Sequence, residues 1–171
     1  MNNNVYEKAY TLGKNYLDTF KPGPFMPTVM FDIDDTLLYS KNFKGIQPII
    51  RLLVECNKKN MFVLIVTARD SIYTKETIKD LENIGLKQGN TGPFTYNYLY
   101  LRKSPKDNNN FFKSGIKKQF YEKGFVTIMS VGDNDIDING DYSGYCLKLP
   151  NLRDPRLFHN PYGKLINVKI P

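Results

Sequence analysis

Val29-Met30-Phe31-Asp32-Ile33-Asp34-Asp35-Thr36-Leu37-Leu38 sets an apolar run directly against carboxylates at i and i+2, with a hydroxyl at i+4. The continuous apolar character of this run predicts a buried strand over Val29 to Asp32. Residues i and i+2 of a strand share a face, so Asp32 and Asp34 are expected to approach one spot as the strand ends. Carboxylates at such range repel unless a cation or a proton is held with them. That pattern points to a divalent-metal site in which one carboxylate attacks and the other moves protons. The same letters also suit a strand that ends in an Asp-rich turn, so the rest of the chain has to decide.

Working outward, 171 residues with 41% hydrophobic and 24% charged side chains make a globular composition. The expectation is one domain over residues 1–171: a core at about 25–150, an N-terminal helix at about 5–20 and a C-terminal extension at 151–171. No apolar run approaches the roughly 20 residues of a membrane span. Met1 to Lys8 lacks the apolar core of a secretory signal, so a cytoplasmic protein with no membrane partner is expected. Cys56 and Cys146 each sit in an apolar stretch and read as buried free thiols. A single histidine, His159, argues against a His-rich zinc site. The net charge of +7 favours an anionic partner. The lysines are spread thinly, however, and most of them, Lys117-Lys118 included, fit solvated helix faces.

Val5 to Phe20 and Ile46 to Cys56 repeat apolar residues with helical spacing, and a third helix is predicted from about Tyr73 to Ile84, stopped at Gly85. Met61 to Val66 is a second buried strand ending at Thr67, Tyr96 to Leu101 an edge or central strand, Phe125 to Val131 a strand ending at Gly132-Asp133, and Tyr145 to Leu149 a last short one. Asn109 or Asn110 is read as the cap of a helix reaching Glu122; Asn2 to Asn4 and Asn108 to Asn110 read as a tail and a loop. Strands alternating with helices imply right-handed βαβ units. The fold class is therefore α/β, a Rossmann-like three-layer α/β/α sandwich with a mostly parallel central sheet. Asp32, Thr67 and Asp133 all fall at carboxyl ends of its strands, the edge where such sheets bind ligands.

Thr67 and the backbone N–H groups around it, Ala68 included, suit phosphate oxygens, or a strand cap. Arg69 either adds a charged donor or pairs with Asp70 or Glu76. In Gly132-Asp133-Asn134-Asp135-Ile136-Asp137 the glycine permits a tight turn and the carboxylates favour a hard cation, Mg²⁺ before others. Lys113 falls in the first turn of a predicted helix, against the usual dipole preference. An anionic neighbour is expected there, with Lys103 as the rival position.

Asp32-Ile33-Asp34-Asp35-Thr36, Thr67, Lys113, and Gly132-Asp133 with Asp137 follow in the order of the four signatures of the haloacid dehalogenase (HAD) superfamily, which the chain resembles. Gly132-Asp133-Asn134 with Gly144 and Lys148-Leu149-Pro150-Asn151 is similar to its class III acid phosphatase branch (subfamily IIIB); Thr67-Ala68-Arg69 departs from the usual Thr-Gly-Arg of that branch. The resemblance implies a phosphatase in which Asp32 forms an aspartyl-phosphate and Asp34 acts as general acid, then base. Mg²⁺ would be held by the Asp32 side chain, the Asp34 carbonyl oxygen and Asp133. Thr67, Ala68 and Lys113 would bind the phosphoryl oxygens. Asp137 would hold a metal-bound water or orient Lys113, with Arg69 and Asn134 supporting.

Leu37 to Met61 and Asp70 to Phe112 are too short to hold a large cap domain, so an open site is expected. The substrate class is a small phosphomonoester such as a nucleotide, with Tyr39, Tyr73, Phe94, Tyr96 and Tyr98 as a possible stacking wall. A nucleic-acid 3′ or 5′ end is the alternative substrate, and a non-catalytic storage or binding protein of the same fold the alternative class.

Overall fold

The computed structural model describes residues 3–104, 107 and 109–160; Asn2, Asn108 and the 161–171 part of the C-terminal extension lie outside the described residues. The chain runs α1 (Asn3–Thr19), β1 (Met26–Phe31), α2 (Gln47–Lys58), β2 (Phe62–Asp70), a 3₁₀ turn (Ser71–Tyr73) and α3 (Thr74–Asn83). It continues with β3 (Lys87–Gln88), β4 (Thr95–Tyr96), β5 (Tyr98–Arg102), α4 (Asn109–Glu122), β6 (Phe125–Gly132), α5 (Asp135–Ile138), β7 (Tyr145–Lys148) and β8 (Phe158–Asn160). The main sheet has the order β5-β2-β1-β6-β7-β8. Every neighbouring pair is parallel except β7 with β8.

The alternation of the strands sorts the core into two layers. Val29, Phe31, Val63 and Ile65 point to one face, where Tyr6, Ala9 and Leu17 of α1 and Ile49, Ile50, Leu53 and Cys56 of α2 cover them. Met30, Leu64 and Val66 point to the other, against Ile116 of α4 with Phe112 and Phe120 around it. Each such side chain withdrawn from water is worth about 1.5–3 kcal/mol. The result is the expected α/β/α sandwich, with no large cap among the described residues. No described helix is long and apolar enough to cross a membrane. Cys56 and Cys146 are free and buried.

Several local expectations are corrected. Thr67 does not open a turn: β2 runs on through Thr67-Ala68-Arg69 and pairs with β5 as far as Asp70, with a register shift between Thr67 and Asp70. The segment from Tyr96 to Leu101 is divided, because Asn97 leaves the strand geometry and its side-chain oxygen accepts from the Val63 N–H. Asn3 and Asn4 belong to α1, and Asn109 and Asn110 to α4, so none of these is a tail or a cap. The antiparallel β8 carries too few apolar residues to announce itself, with only Phe158 against His159 and Asn160.

Gly144, before β7, has φ +63°, and a Cβ there would lie 2.3 Å from the Ile128 carbonyl carbon and oxygen. Gly85 has φ +91° with open space around it. Gly144→Ala is therefore expected to lower the unfolding free energy by about 3 kcal/mol or more, and Gly85→Ala by about 1–2 kcal/mol, as read from urea midpoints.

Candidate active site

β1 ends at Phe31, and the next residue, Asp32, donates its N–H to the Val131 carbonyl of β6 at 3.0 Å. The carboxyl ends of these central strands thus open onto one crevice, the place where a parallel sheet has helices departing to opposite faces. A cavity of about 160 Å³ there is lined by Asp32, Asp34, Thr67, Ala68, Lys113, Asp133, Asn134 and Asp137, with Asp35 and Ile136 completing it. Arg69 acts on this cavity from behind Asp34.

Asp32 and Asp34 both reach the crevice, but not by the shared strand face that i and i+2 predict. The chain turns directly after Asp32, with Asp35 at φ +54°. Asp34 is drawn aside by Arg69, whose Nε meets Oδ2 at 2.8 Å and whose Nη2 meets Oδ1 at 2.7 Å. Arg69 Nη1 also donates to Asp80 Oδ2 at 2.7 Å, so its partners are Asp34 and Asp80 rather than Asp70 or Glu76. This two-pronged geometry fixes the carboxylate plane as a single lysine contact does not. Thr67 is buried, and its Oγ1 accepts from the Arg69 N–H at 3.2 Å. Thr36, the hydroxyl of the opening motif, is fully buried beneath the turn and does not line the cavity.

Of the two candidate lysines, Lys113 is the one that lines the cavity. It is 1% exposed, and its Nζ lies 2.5 Å from both Asp32 Oδ1 and Asp137 Oδ1. Lys103 is exposed and lies over the Tyr100 ring. Burial works to lower the Lys113 pKa, but Asp32 and Asp137 outweigh it and hold the ammonium protonated. Burial, and next the repulsion of Asp137, push Asp32 well above the ordinary carboxylate range against the pull of Lys113. Burial and then Asp137 raise Asp133 to about 6.

Asp32, Asp133 and Asp137 can each bring a carboxylate oxygen within 4.8 Å of the other two. Three carboxylates against the one ammonium of Lys113 leave a formal charge of minus two, the deficit that one divalent cation offsets. Asp137 thus joins the cluster directly, whereas the Asp34 carboxylate is committed to Arg69. The Asn134 N–H donates to Asp137 Oδ2 at 3.0 Å and its side-chain amide to Asp133 Oδ1 at 3.1 Å, while Asn151 Nδ2 takes the Asp133 carbonyl at 2.7 Å. Gly132 serves this loop through space rather than through a tight turn. A Cβ on it would lie 2.2 Å from Asp137 Cβ and Oδ2.

Sequence reasoning missed two features. Lys117, expected on a solvated helix face, is fully buried behind the loop. A larger cavity of about 650 Å³ adjoins the site at Asp35 and is lined by Tyr39, Ser40, Lys41, Asn42 and Leu152. Of the proposed stacking residues only Tyr39 lines either of these two cavities, and it lines the larger. Tyr96 is buried in the core and Tyr98 packs on Phe120 at the start of β5, away from the carboxyl edge.

The sheet is mostly parallel, with acidic residues at its central carboxyl ends and a buried lysine between them. A family model described as HAD superfamily, subfamily IIIB (acid phosphatase), matches residues 40–153, and the chain belongs to that subfamily. The match takes in Thr67, Lys113, Asp133 and Asp137, whereas Asp32 and Asp34 lie ahead of it and stand on geometry. Among solved structures the fold is similar to the class C acid phosphatase from Bacillus anthracis (TM-score 0.65, 17% identity, 82% of this chain and 66% of that one). It is also similar to the class C acid phosphatase from Bacillus anthracis with tungstate bound (TM-score 0.66, 18% identity, 81% and 65%). The chain spans just under two thirds of the length of those structures. No curated protein matches its sequence.

The raised Asp133 pKa has a testable sign. A carboxylate with a higher pKa folded than unfolded destabilises the fold above its folded pKa, and the penalty fades as pH falls towards the unfolded value. In chelator, Asp133→Asn is expected to be more stable than the parent by about 2 kcal/mol above pH 6, the gap closing towards pH 4. Urea titrations of both proteins across that range measure it.

Proposed function

We propose that this chain is a Mg²⁺-dependent phosphomonoesterase that works through an aspartyl-phosphate on Asp32, with a small phosphomonoester such as a nucleotide as substrate. The observation that carries the reading is Asp32 itself: buried, at the end of a central strand, and in contact with Lys113 beside Asp133 and Asp137. The all-oxygen donor set of Asp32, Asp133 and Asp137 and its unbalanced charge fit Mg²⁺. Those three carboxylates would hold the ion, whose positive charge would favour ionised Asp32 and offset negative charge on the phosphoryl group.

The chain's own groups divide the remaining work. An Asp32 Oδ attacks phosphorus in line, and the bond from phosphorus to the leaving oxygen breaks. Asp34 protonates that oxygen, then takes a proton from the water that attacks phosphorus and releases Asp32. Arg69 holds the Asp34 carboxylate in one plane for both transfers. Thr67 Oγ1, the Ala68 N–H and Lys113 Nζ line the cavity where the transferred oxygens gather charge, so they act on the transition state. Asn134 holds the Asp133 and Asp137 carboxylates in place.

The leaving group would occupy the 650 Å³ space beside Asp35, which is within the size range of small-molecule sites. Tyr39 and Leu152 offer it apolar surface, and Ser40, Lys41 and Asn42 offer polar contacts. The openness of this face, together with the +7 charge, also supports a nucleic-acid end as substrate. A panel of nucleotides, sugar phosphates and 3′- or 5′-phosphorylated oligonucleotides separates the two, because only oligonucleotide turnover should fall steeply with added salt.

Hydrolysis of an aryl phosphate is expected to stop in excess chelator and to return with Mg²⁺. Asp32→Asn should abolish turnover, and a trapped phosphate or fluoroberyllate should sit on Asp32 and not on Asp34. Retained turnover in Asp32→Asn, without reversion to Asp by mass spectrometry, would favour direct attack by water. Lys113→Ala should lower kcat/KM by about 10²-fold or more, and Lys103→Ala far less.

A further inference from the structure

Lys117 follows Lys113 by four residues, one helical turn along the same face of α4. Both are buried, and both end on Asp137: Lys113 Nζ on its carboxylate at 2.5 Å, Lys117 Nζ on its carbonyl at 2.9 Å. Lys117 also donates to Ser143 Oγ at 2.6 Å and to Ser130 Oγ at 3.2 Å. The two hydroxyl protons are spent elsewhere, Ser130 Oγ on the Ser143 carbonyl at 2.8 Å and Ser143 Oγ on the Asn139 carbonyl at 2.7 Å. All three oxygens around Nζ therefore take their proton from Lys117, an arrangement that uses every donor of its ammonium form even though burial lowers its pKa to about 7.

α5 has only the four residues Asp135–Ile138, so its carbonyls find few partners within the helix. Buried side chains supply them: Lys117 for Asp137, Cys146 Sγ for Ile138 at 3.1 Å, and Ser143 for Asn139. No step of the phosphatase reading uses any of the three. A buried carbonyl that loses its donor destabilises the segment carrying it, and here that segment carries Asp133 and Asp137.

We propose that Lys117 is a positioning residue, which by holding the Asp137 carbonyl while Lys113 holds its carboxylate fixes the Asp133–Asp137 loop against Asp32 and so sets divalent-cation affinity. The proposal rests on the reading of this cluster as a cation site. It extends that reading to a residue that touches neither the cation nor the substrate.

Two substitutions test it: Lys117→Met, which keeps length and fills the space with apolar atoms, and Lys117→Gln, which retains a donor. Hydrogen exchange in chelator reads the loop without metal, and calorimetric Mg²⁺ titration reads affinity. For Lys117→Met the expected result is cooperative unfolding near the parent Tm. Exchange of amides 135–139 should be about tenfold faster or more with β6 amides unchanged, and Mg²⁺ affinity should be about tenfold weaker or more. Lys117→Gln should recover part of both losses. A folded Lys117→Met with parent-like exchange at 135–139 and Mg²⁺ affinity within twofold of the parent overturns the proposal. Should Lys117→Met not fold, Ser143→Ala decides: faster exchange with weaker affinity supports the proposal, and parent-like values of both overturn it. A parent that binds no Mg²⁺ rejects the cation reading instead, and the exchange data then judge Lys117 alone, faster exchange supporting its positioning role and unchanged exchange rejecting it.

Discussion

Lys113 reaches across the molecule to Asp32, 81 residues earlier, and to Asp137, 24 residues later, and the site hangs on that double contact. It ties the end of β1, the first turns of α4 and the loop after β6 to one nitrogen. An ammonium with almost no exposure is stable in such a place only when carboxylates surround it. The two aspartates exceed its charge, and Asp133 widens the excess. Cohesion and charge imbalance therefore come from the same atoms: the lysine assembles the crevice, and the surplus negative charge gives it affinity for a cation.

A second clamp works beside the first. Arg69 spans Asp34 and Asp80, linking the turn after β1 to α3. It holds the carboxylate proposed to move protons apart from the one proposed to attack. Two neighbouring acids of like sequence context thus receive different environments, one buried against Lys113 and the other half-exposed in a planar fork. Difference of environment is what lets paired carboxylates take different roles.

The sheet explains why these clamps meet. Parallel strands bring their carboxyl ends to one edge, so the residues just after β1 and β6 and those near the end of β2 converge without a dedicated scaffold. With no large cap among the described residues, the space above Asp35 is bounded by the 39–42 turn and by Leu152, which is 88% exposed. In the proposed reading, leaving-group selection rests on those few side chains.

The sequence by itself determined what depends on local periodicity and residue chemistry. The apolar runs read as strands at Val29–Asp32 and Met61–Val66 correspond to buried strands of the sheet, and the helical spacing between them implies a parallel arrangement. Acids and hydroxyls just past those runs mark the edge where ligands bind. Tertiary structure alone decided what depends on partners distant in sequence. The helix-start position of Lys113 hints at an anionic neighbour but leaves Lys103 in play; only the carboxylates that receive Lys113 decide which ammonium is buried. Lys117 reads as a surface lysine because its three acceptors come from Ser130, Ser143 and Asp137. Gly132 reads as a turn glycine, yet its missing side chain makes room for Asp137 five residues on. Periodicity reports which face a residue occupies. Which charge waits there is set only when separate segments pack.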